Sequence, residues 1–208
     1  MWAVIIVIAI VVVLILFLVG IYNGMVRGRN RVDEAWSGID VQLKRRHDLI
    51  PNLVESVKGY AAHEAGVFEA VTQARAAAMS AQGPAQVAQA EGALSGALGR
   101  LFAVAEAYPQ LRATENFQLL QGQLSDVEQN IAVSRQVYND TVLSYDNALE
   151  TVPTNVIAGL FHFNPREYFQ TEDATREAPR VSFTDSAAAP PAAAPPETPA
   201  APPPAQSS

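Results

Sequence analysis

The chain has 208 residues, a formal net charge of −7 and no cysteine, and this length predicts one ordinary domain with additional segments. After Arg46 there are 8 basic and 18 acidic residues, which argues against a nucleic-acid partner because phosphate binding requires clustered Lys or Arg. Without cysteine, a disulfide framework, a thiolate metal site and a thiol nucleophile are excluded.

The first predicted element is a membrane-spanning helix, assigned to residues 1–24. Residues 1–19 are all apolar, and a helix of about 20 residues spans a hydrocarbon core of about 30 Å. A cleaved signal peptide is the alternative, but no basic residue precedes the apolar run and residues 19–22 form a poor cleavage site. Trp2 and Tyr22 stand at the two ends, where interfacial aromatic residues are favoured.

The charges that flank this segment predict its orientation. Arg27, Arg29 and Arg31 follow the apolar run, whereas no basic side chain precedes it. The positive-inside rule therefore predicts that the C-terminal part lies in the cytoplasm, anchored to the inner membrane.

Residues 25–170 are predicted to form an extended antiparallel four-helix bundle. The first helix has an apolar seam of period 3.5 that begins at Val32 and that only Arg46 interrupts. Pro51 predicts a kink, but the seam keeps its phase across it, which favours one bent helix over two. The predicted seam consists of Val32, Trp36, Ile39, Leu43, Ile50, Leu53, Val57 and Tyr60.

Three further helices are predicted from the same spacing. The second covers residues 63–82 and stops at the breaker pair Gly83-Pro84, and the third covers residues 85–107. The fourth carries an apolar seam and is closed by Pro153. The predicted inward residues are Val67, Phe68, Val71 and Ala78, then Leu94, Leu98, Leu101 and Val104, then Phe117, Leu120, Leu124, Val127, Ile131, Tyr138, Val142 and Leu149. No segment alternates as a half-buried strand does, so the fold class is all-α.

Residues 171–208 are predicted to be a disordered Ala/Pro-rich tail. Residues 187–205 contain eight of the fourteen prolines and no large apolar side chain. Such a segment cannot bury enough surface to offset its ordering entropy.

His63-Glu64 invites comparison with metalloproteases, whose zinc motif needs a second His four residues after the first. Position 67 is Val, so the motif fails and a capping or surface role is preferred. GxSxG, GxxxxGK[ST] and GxGxxG patterns are also absent from the sequence. We therefore predict no cofactor, metal or small-molecule substrate.

A basic cluster formed by Lys44, Arg45, Arg46, His47 and Asp48 is the main polar feature of the first helix. Contact with anionic lipid headgroups or an acidic partner is one interpretation, and a solvated face is another. We favour a buried ion pair, because heptad spacing turns Arg46 inward. Its candidate partners are Glu106, Glu115 and Glu128.

The sequence resembles the LemA family over roughly residues 20–170. The run IDVQLKRRHDLIPNLV, residues 39–54, carries most of this resemblance, and AVAEAYPQL, residues 103–111, adds to it. The resemblance implies a membrane-anchored helical bundle, and it implies no catalytic residue or cofactor site.

These observations favour a non-enzymatic scaffold or adaptor with an unknown protein partner or a second copy of itself. The first alternative is an enzyme or metal-binding bundle, which requires several polar side chains to converge in one cavity. The side chains available for it are Arg46, His47, Asp48, His63, Glu64 and Glu106. The second alternative is an envelope-stress or export accessory, which requires the domain outside the cytoplasm.

Overall fold

The computed structural model describes residues 1–170, and every regular element in that range is an α-helix. The helices are α1 (Trp2–Lys58), α2 (Ala65–Ser80), α3 (Gly83–Glu106), α4 (Pro109–Arg112), α5 (Glu115–Glu150) and α6 (Thr154–Leu160). The all-helical prediction is confirmed for these residues. The predicted disordered tail, residues 171–208, lies outside them.

α1 is a single helix of 57 residues that contains both the apolar segment and the first helix of the domain. Its N-terminal part is long and apolar enough to cross a membrane, and the side chains there are exposed. The helix continues through Pro51, which confirms the prediction of one helix rather than two.

Most of the residues predicted to form the apolar seams are buried in the structure. All eight residues predicted for the fourth helix are buried in α5, and six of the eight predicted for α1 are buried. Trp36 is half-buried, with its ring edge-on to Tyr138 at a centroid distance of 5.4 Å. The prediction for Tyr60 is wrong: it is 46% exposed, because α1 ends at Lys58 and helical spacing no longer applies.

α1 and α5 run antiparallel along each other. Three contacts show this, because residue numbers rise along α1 as they fall along α5: Gly28 with Tyr145, Trp36 with Tyr138, and Arg46 with Glu128. α2 and α3 pack together and are joined by two residues, Ala81 and Gln82. The chain turns at Gly83, whose φ of +76° is readily adopted by glycine.

The buried side chains form two apolar clusters. The proximal cluster, nearer the apolar segment, extends from Met25 to Leu43 on α1 and includes the C-terminal half of α5. The distal cluster extends from Ile50 to Val57 on α1 and includes the N-terminal part of α5. Arg46 and His47 lie on α1 between the two clusters.

Residues 163–169, the return segment, follow α6 without regular secondary structure and lie against α1 and α5. The Asn139 side chain exchanges two hydrogen bonds with the backbone of Phe169, at 3.0 and 3.2 Å. Arg166 pairs with Asp33 at 2.8 Å. These contacts fasten the end of the described chain to the helices.

Candidate functional site

A buried polar cluster connects α1, α3 and α5. We call it the polar junction and define it as Arg46 and His47 of α1, Glu91 and Ser95 of α3, and Glu128 of α5. Among residues 1–170, the buried charged or polar side chains are Arg46, His47 and Glu91. All three belong to this junction.

Arg46 is the centre of the polar junction. It is 2% exposed, and its Nη1 donates to Glu91 Oε2 at 2.7 Å. Its Nη2 donates to Ser95 Oγ at 2.7 Å and lies 2.7 Å from Glu128 Oε1. The planar guanidinium suits such divergent contacts because its donors are fixed in a fork.

His47 shares Glu91 with Arg46. Its Nε2 lies 2.7 Å from Glu91 Oε1, so each oxygen of this buried carboxylate has its own partner. The charge of Glu91 is therefore balanced inside the fold, as a buried charge requires.

The backbone of His47 adds a contact with α2. Pro51 has no N–H, so the His47 carbonyl has no helical donor four residues later. Arg75 of α2 supplies one, since its Nε donates to the His47 carbonyl at 2.8 Å. Residues 46 and 47 thus contact α2, α3 and α5 from adjacent positions on α1.

The predicted ion pair of Arg46 is confirmed, but only one of its three candidate partners is correct. Glu128 pairs with Arg46, whereas Glu106 and Glu115 do not contact it in the described part of the chain. Glu91, which pairs with Arg46 and His47, was not among the candidates. The signal was available: Glu91 lies seven positions before Leu98 on the same buried seam of α3.

The other predicted site residues are dispersed. Lys44, Arg45 and Asp48 are exposed on α1, and Lys44 and Asp48 line a second cleft with His47. His63 lies in the turn after α1, Glu64 precedes α2, and Glu106 ends α3. Within residues 1–170, no group of three or more His, Asp or Glu side chains is placed to hold a metal ion.

The predicted interfacial aromatics have different surroundings. Trp2 is exposed at the start of α1. The Tyr22 ring meets Phe161 and Phe163 edge-on, at centroid distances of 4.9 and 5.7 Å.

Beside the polar junction, a cleft of about 450 Å³ opens between α3 and α5. We call it the α3–α5 cleft. Its apolar lining includes Leu98, Phe102 and Leu124, and its polar lining includes Arg46 and Glu128. At this cleft both terminal nitrogens of Arg46 are paired, whereas its buried Nε has no hydrogen-bond partner. A guanidinium stays protonated, so this geometry suits packing or recognition better than proton transfer.

Comparison with known proteins decides the family. Residues 35–183, more than half of the chain, match the LemA family. The chain belongs to the LemA family. The resemblance noted from residues 39–54 is thereby confirmed, and two residues of the polar junction, Arg46 and His47, lie in that run.

Two named proteins are similar to this LemA-family chain. Magnetosome protein MamQ 2 of Paramagnetospirillum magneticum is 26% identical over 179 residues, which cover 74% of this chain and 66% of the relative. Protein LemA of Metamycoplasma hominis is 25% identical over 162 residues, which cover 76% of this chain and 73% of the relative. The chain thus spans slightly less than two thirds of the MamQ protein. Neither name describes an enzymatic activity.

Proposed function

We propose that this chain is a single-pass inner-membrane protein whose domain, an extended antiparallel four-helix bundle, is a non-enzymatic scaffold or adaptor. The observation that carries the proposal is the continuity of α1, which is both the apolar segment and a core helix of the domain. A continuous helix contains no flexible linker, so the domain would be held at a fixed distance from the bilayer.

The arrangement of polar groups supports a scaffold over an enzyme. Both carboxylate oxygens of Glu91 are paired, one with Arg46 and one with His47, and His63, Glu64 and Glu106 lie apart from them. A general acid, base or nucleophile needs a free reactive atom facing substrate. The metal-binding alternative lacks the convergence of ligands that it requires within residues 1–170.

The α3–α5 cleft is the docking surface that we propose for a helix of a protein partner. Apolar side chains line it, and Gly99 leaves open space where a Cβ would stand. A groove between two helices is a common receptor for an amphipathic helix. A second copy of the chain is the alternative occupant.

Site-specific photocrosslinking in membranes tests this surface. A photoreactive residue at Gly99 should give a discrete adduct, whereas the same residue at Gly66 should not. Gly66 is the matched control, because it is exposed on α2 and also has open space at its Cβ. An adduct of twice the chain mass, formed between two differently tagged copies, would assign the cleft to self-association. Monomer alone at both positions would contradict the scaffold.

We also propose that the domain faces the cytoplasm, on the basis of Arg27, Arg29 and Arg31. A reporter fused to the C-terminus of the full chain should be active if it requires the cytoplasm and inactive if it requires export. The opposite result would favour the envelope-stress or export alternative.

A further inference from the structure

α6 presents apolar side chains on two sides. Ile157 and Ala158 are buried in the proximal cluster and attach α6 to the domain. Val152 just before the helix, Val156 and Leu160 within it, and Phe161 just after it are more than half exposed. Val156 and Leu160 are 70% and 72% exposed. We call these four exposed residues the apolar foot.

The apolar foot lies beside the end of the apolar segment of α1. Leu18, Val19 and Tyr22 line a groove of about 310 Å³ together with Ile157, Leu160 and Phe161. Its lining is almost entirely apolar. Leu160 and Phe161 therefore share their surroundings with Leu18 and Val19, and whatever medium fills the groove touches both helices.

Aromatic and basic groups follow the groove on the side of the domain. The Tyr22 ring contacts Phe161 and Phe163, and the Arg29 guanidinium lies 5.7 Å from the centroid of Phe163. In a membrane protein, aromatic rings are expected at the interface and arginine side chains beside the anionic headgroups. The groups along the groove stand in this order.

We infer that the apolar foot is a second membrane contact, inserted into the headgroup and acyl boundary of the leaflet from which α1 emerges. The inference rests on the proposed membrane anchoring of α1. Lipid is the occupant favoured over a second protein copy, because lipid must already surround Leu18 and Val19 if α1 spans the bilayer. Insertion also removes a cluster of large apolar side chains from water.

This contact would give the domain two attachments to the bilayer, the span and α6. A single helix leaves rotation about its axis free, whereas a second contact beside it fixes which face of the domain is turned toward the membrane.

Spin labels in the full chain test the inference, since the chain has no native cysteine. Val12→Cys reports the proposed span, Leu160→Cys and Val156→Cys report the foot, and Leu119→Cys is the matched control. Leu119 is also exposed, but it lies near the N-terminal end of α5, remote from α6. Each variant is reconstituted in nanodiscs of phosphatidylcholine and phosphatidylglycerol, and collision rates with oxygen and with a water-soluble nickel chelate are measured.

The expected result is an oxygen-to-nickel collision ratio several-fold higher at positions 156 and 160 than at 119, with the highest ratio at 12. A lipid-like ratio at 12 with ratios at 156 and 160 equal to that at 119 would overturn the foot and leave the anchor intact. A water-like ratio at 12 would overturn the anchor itself. Spin–spin broadening at 156 or 160, removed by dilution with unlabelled chain, would assign the surface to a second copy and also overturn the lipid contact.

Discussion

We expect the alignment of the helices to depend on Arg46. It lies between two apolar clusters, in which side chains of similar shape could pack in more than one register. Its contacts with Glu91 and Glu128 form in one register only, and a shift would leave buried charges unpaired. Buried polar groups of this kind can specify register even when they add little net stability.

Removing Arg46 tests this role. Arg46→Met leaves the Glu91 carboxylate buried without its guanidinium, so we expect the free energy of unfolding to fall by about 3–5 kcal/mol. Denaturant unfolding of the full chain in micelles, followed by circular dichroism, measures the change. Lys58→Met is the control, because the exposed Lys58–Glu55 pair, at 3.4 Å, should contribute only about 0–1 kcal/mol. Equal effects of the two substitutions would show that the junction does not stabilise the fold.

Because the phenol of Tyr138 is buried, we expect the folded chain to lose stability at alkaline pH. Burial raises the pKa of its phenol above the ordinary value, with Arg166 opposing the shift, and its hydroxyl donates to the Glu167 carbonyl at 2.7 Å. The folded chain therefore holds this proton more tightly than the unfolded chain. The stabilisation is complete below about pH 10, the pKa of a free tyrosine, and is lost as pH rises through the folded pKa.

Thermal unfolding across this pH range measures the effect. Tyr138→Phe should lower stability at neutral pH, because the hydrogen bond of the phenol is lost. It should also reduce the loss of stability as pH rises, which we call the alkaline decline. Burial also raises the pKa of Tyr145, so part of the decline should remain. Tyr60→Phe, which removes an exposed phenol, is the matched control. An unchanged alkaline decline in Tyr138→Phe would exclude Tyr138 as its source.

Among the helices, α1 and α2 are connected by a contact that compensates for Pro51. Arg75 donates to the His47 carbonyl that Pro51 leaves without a helical partner. Arg75→Met should therefore lower the free energy of unfolding by about 1–3 kcal/mol, because a partly buried carbonyl loses its donor. Denaturant unfolding measures this change, and Arg100→Met, at an exposed position on α3, is the control.

A double-mutant cycle separates this explanation from general packing. In a Pro51→Ala background the backbone N–H of residue 51 can donate to the His47 carbonyl, so Arg75→Met should have a smaller effect there. Strictly additive effects would show that Arg75 does not act by replacing the missing donor.

The return segment is held to α5 by Asn139. Asn139→Ala removes both hydrogen bonds to the Phe169 backbone, and we expect residues 163–169 to detach locally. Hydrogen exchange should then lose protection at the Phe169 amide while the amides of α5 keep theirs. Asn116→Ala, at an exposed position near the start of α5, should leave the return segment protected. Retained protection in Asn139→Ala would mean that packing alone fixes the segment.

Helices with a regular seam could be predicted from the sequence, whereas contacts without periodicity could not. α2 and α3 begin and end within two residues of their predicted limits, because apolar spacing and the Gly83-Pro84 break determine them. The return segment has no repeat and depends on partners remote in the chain, such as Asn139. Glu91 could have been found on its seam, but the contact of Arg75 depends on how α2 lies against α1.

Across the whole chain, the continuity of α1 connects the proposed membrane span to the domain. Residues on both sides of the predicted boundary at 24 and 25 belong to this one helix. Between Tyr22 and Lys58 it extends about 54 Å at a rise of about 1.5 Å per residue. The polar junction at Arg46 then lies about 36 Å along α1 from Tyr22. A partner bound at the α3–α5 cleft would be held at this distance along α1 from Tyr22.

Pulsed electron paramagnetic resonance in nanodiscs tests this continuity, because it measures the distance between spin labels at Val12→Cys and Lys44→Cys. Both positions are exposed on α1, and the wild-type helix should give a narrow distribution centred at about 48 Å before allowance for the labels. A flexible Gly/Ser insertion after Gly24 should broaden it, because such linkers behave as random coils. A helical insertion of about seven residues should instead lengthen the distance by about 10 Å and keep it narrow. A broad distribution without any insertion would mean that α1 does not hold the domain in place, and the scaffold would lose its physical basis.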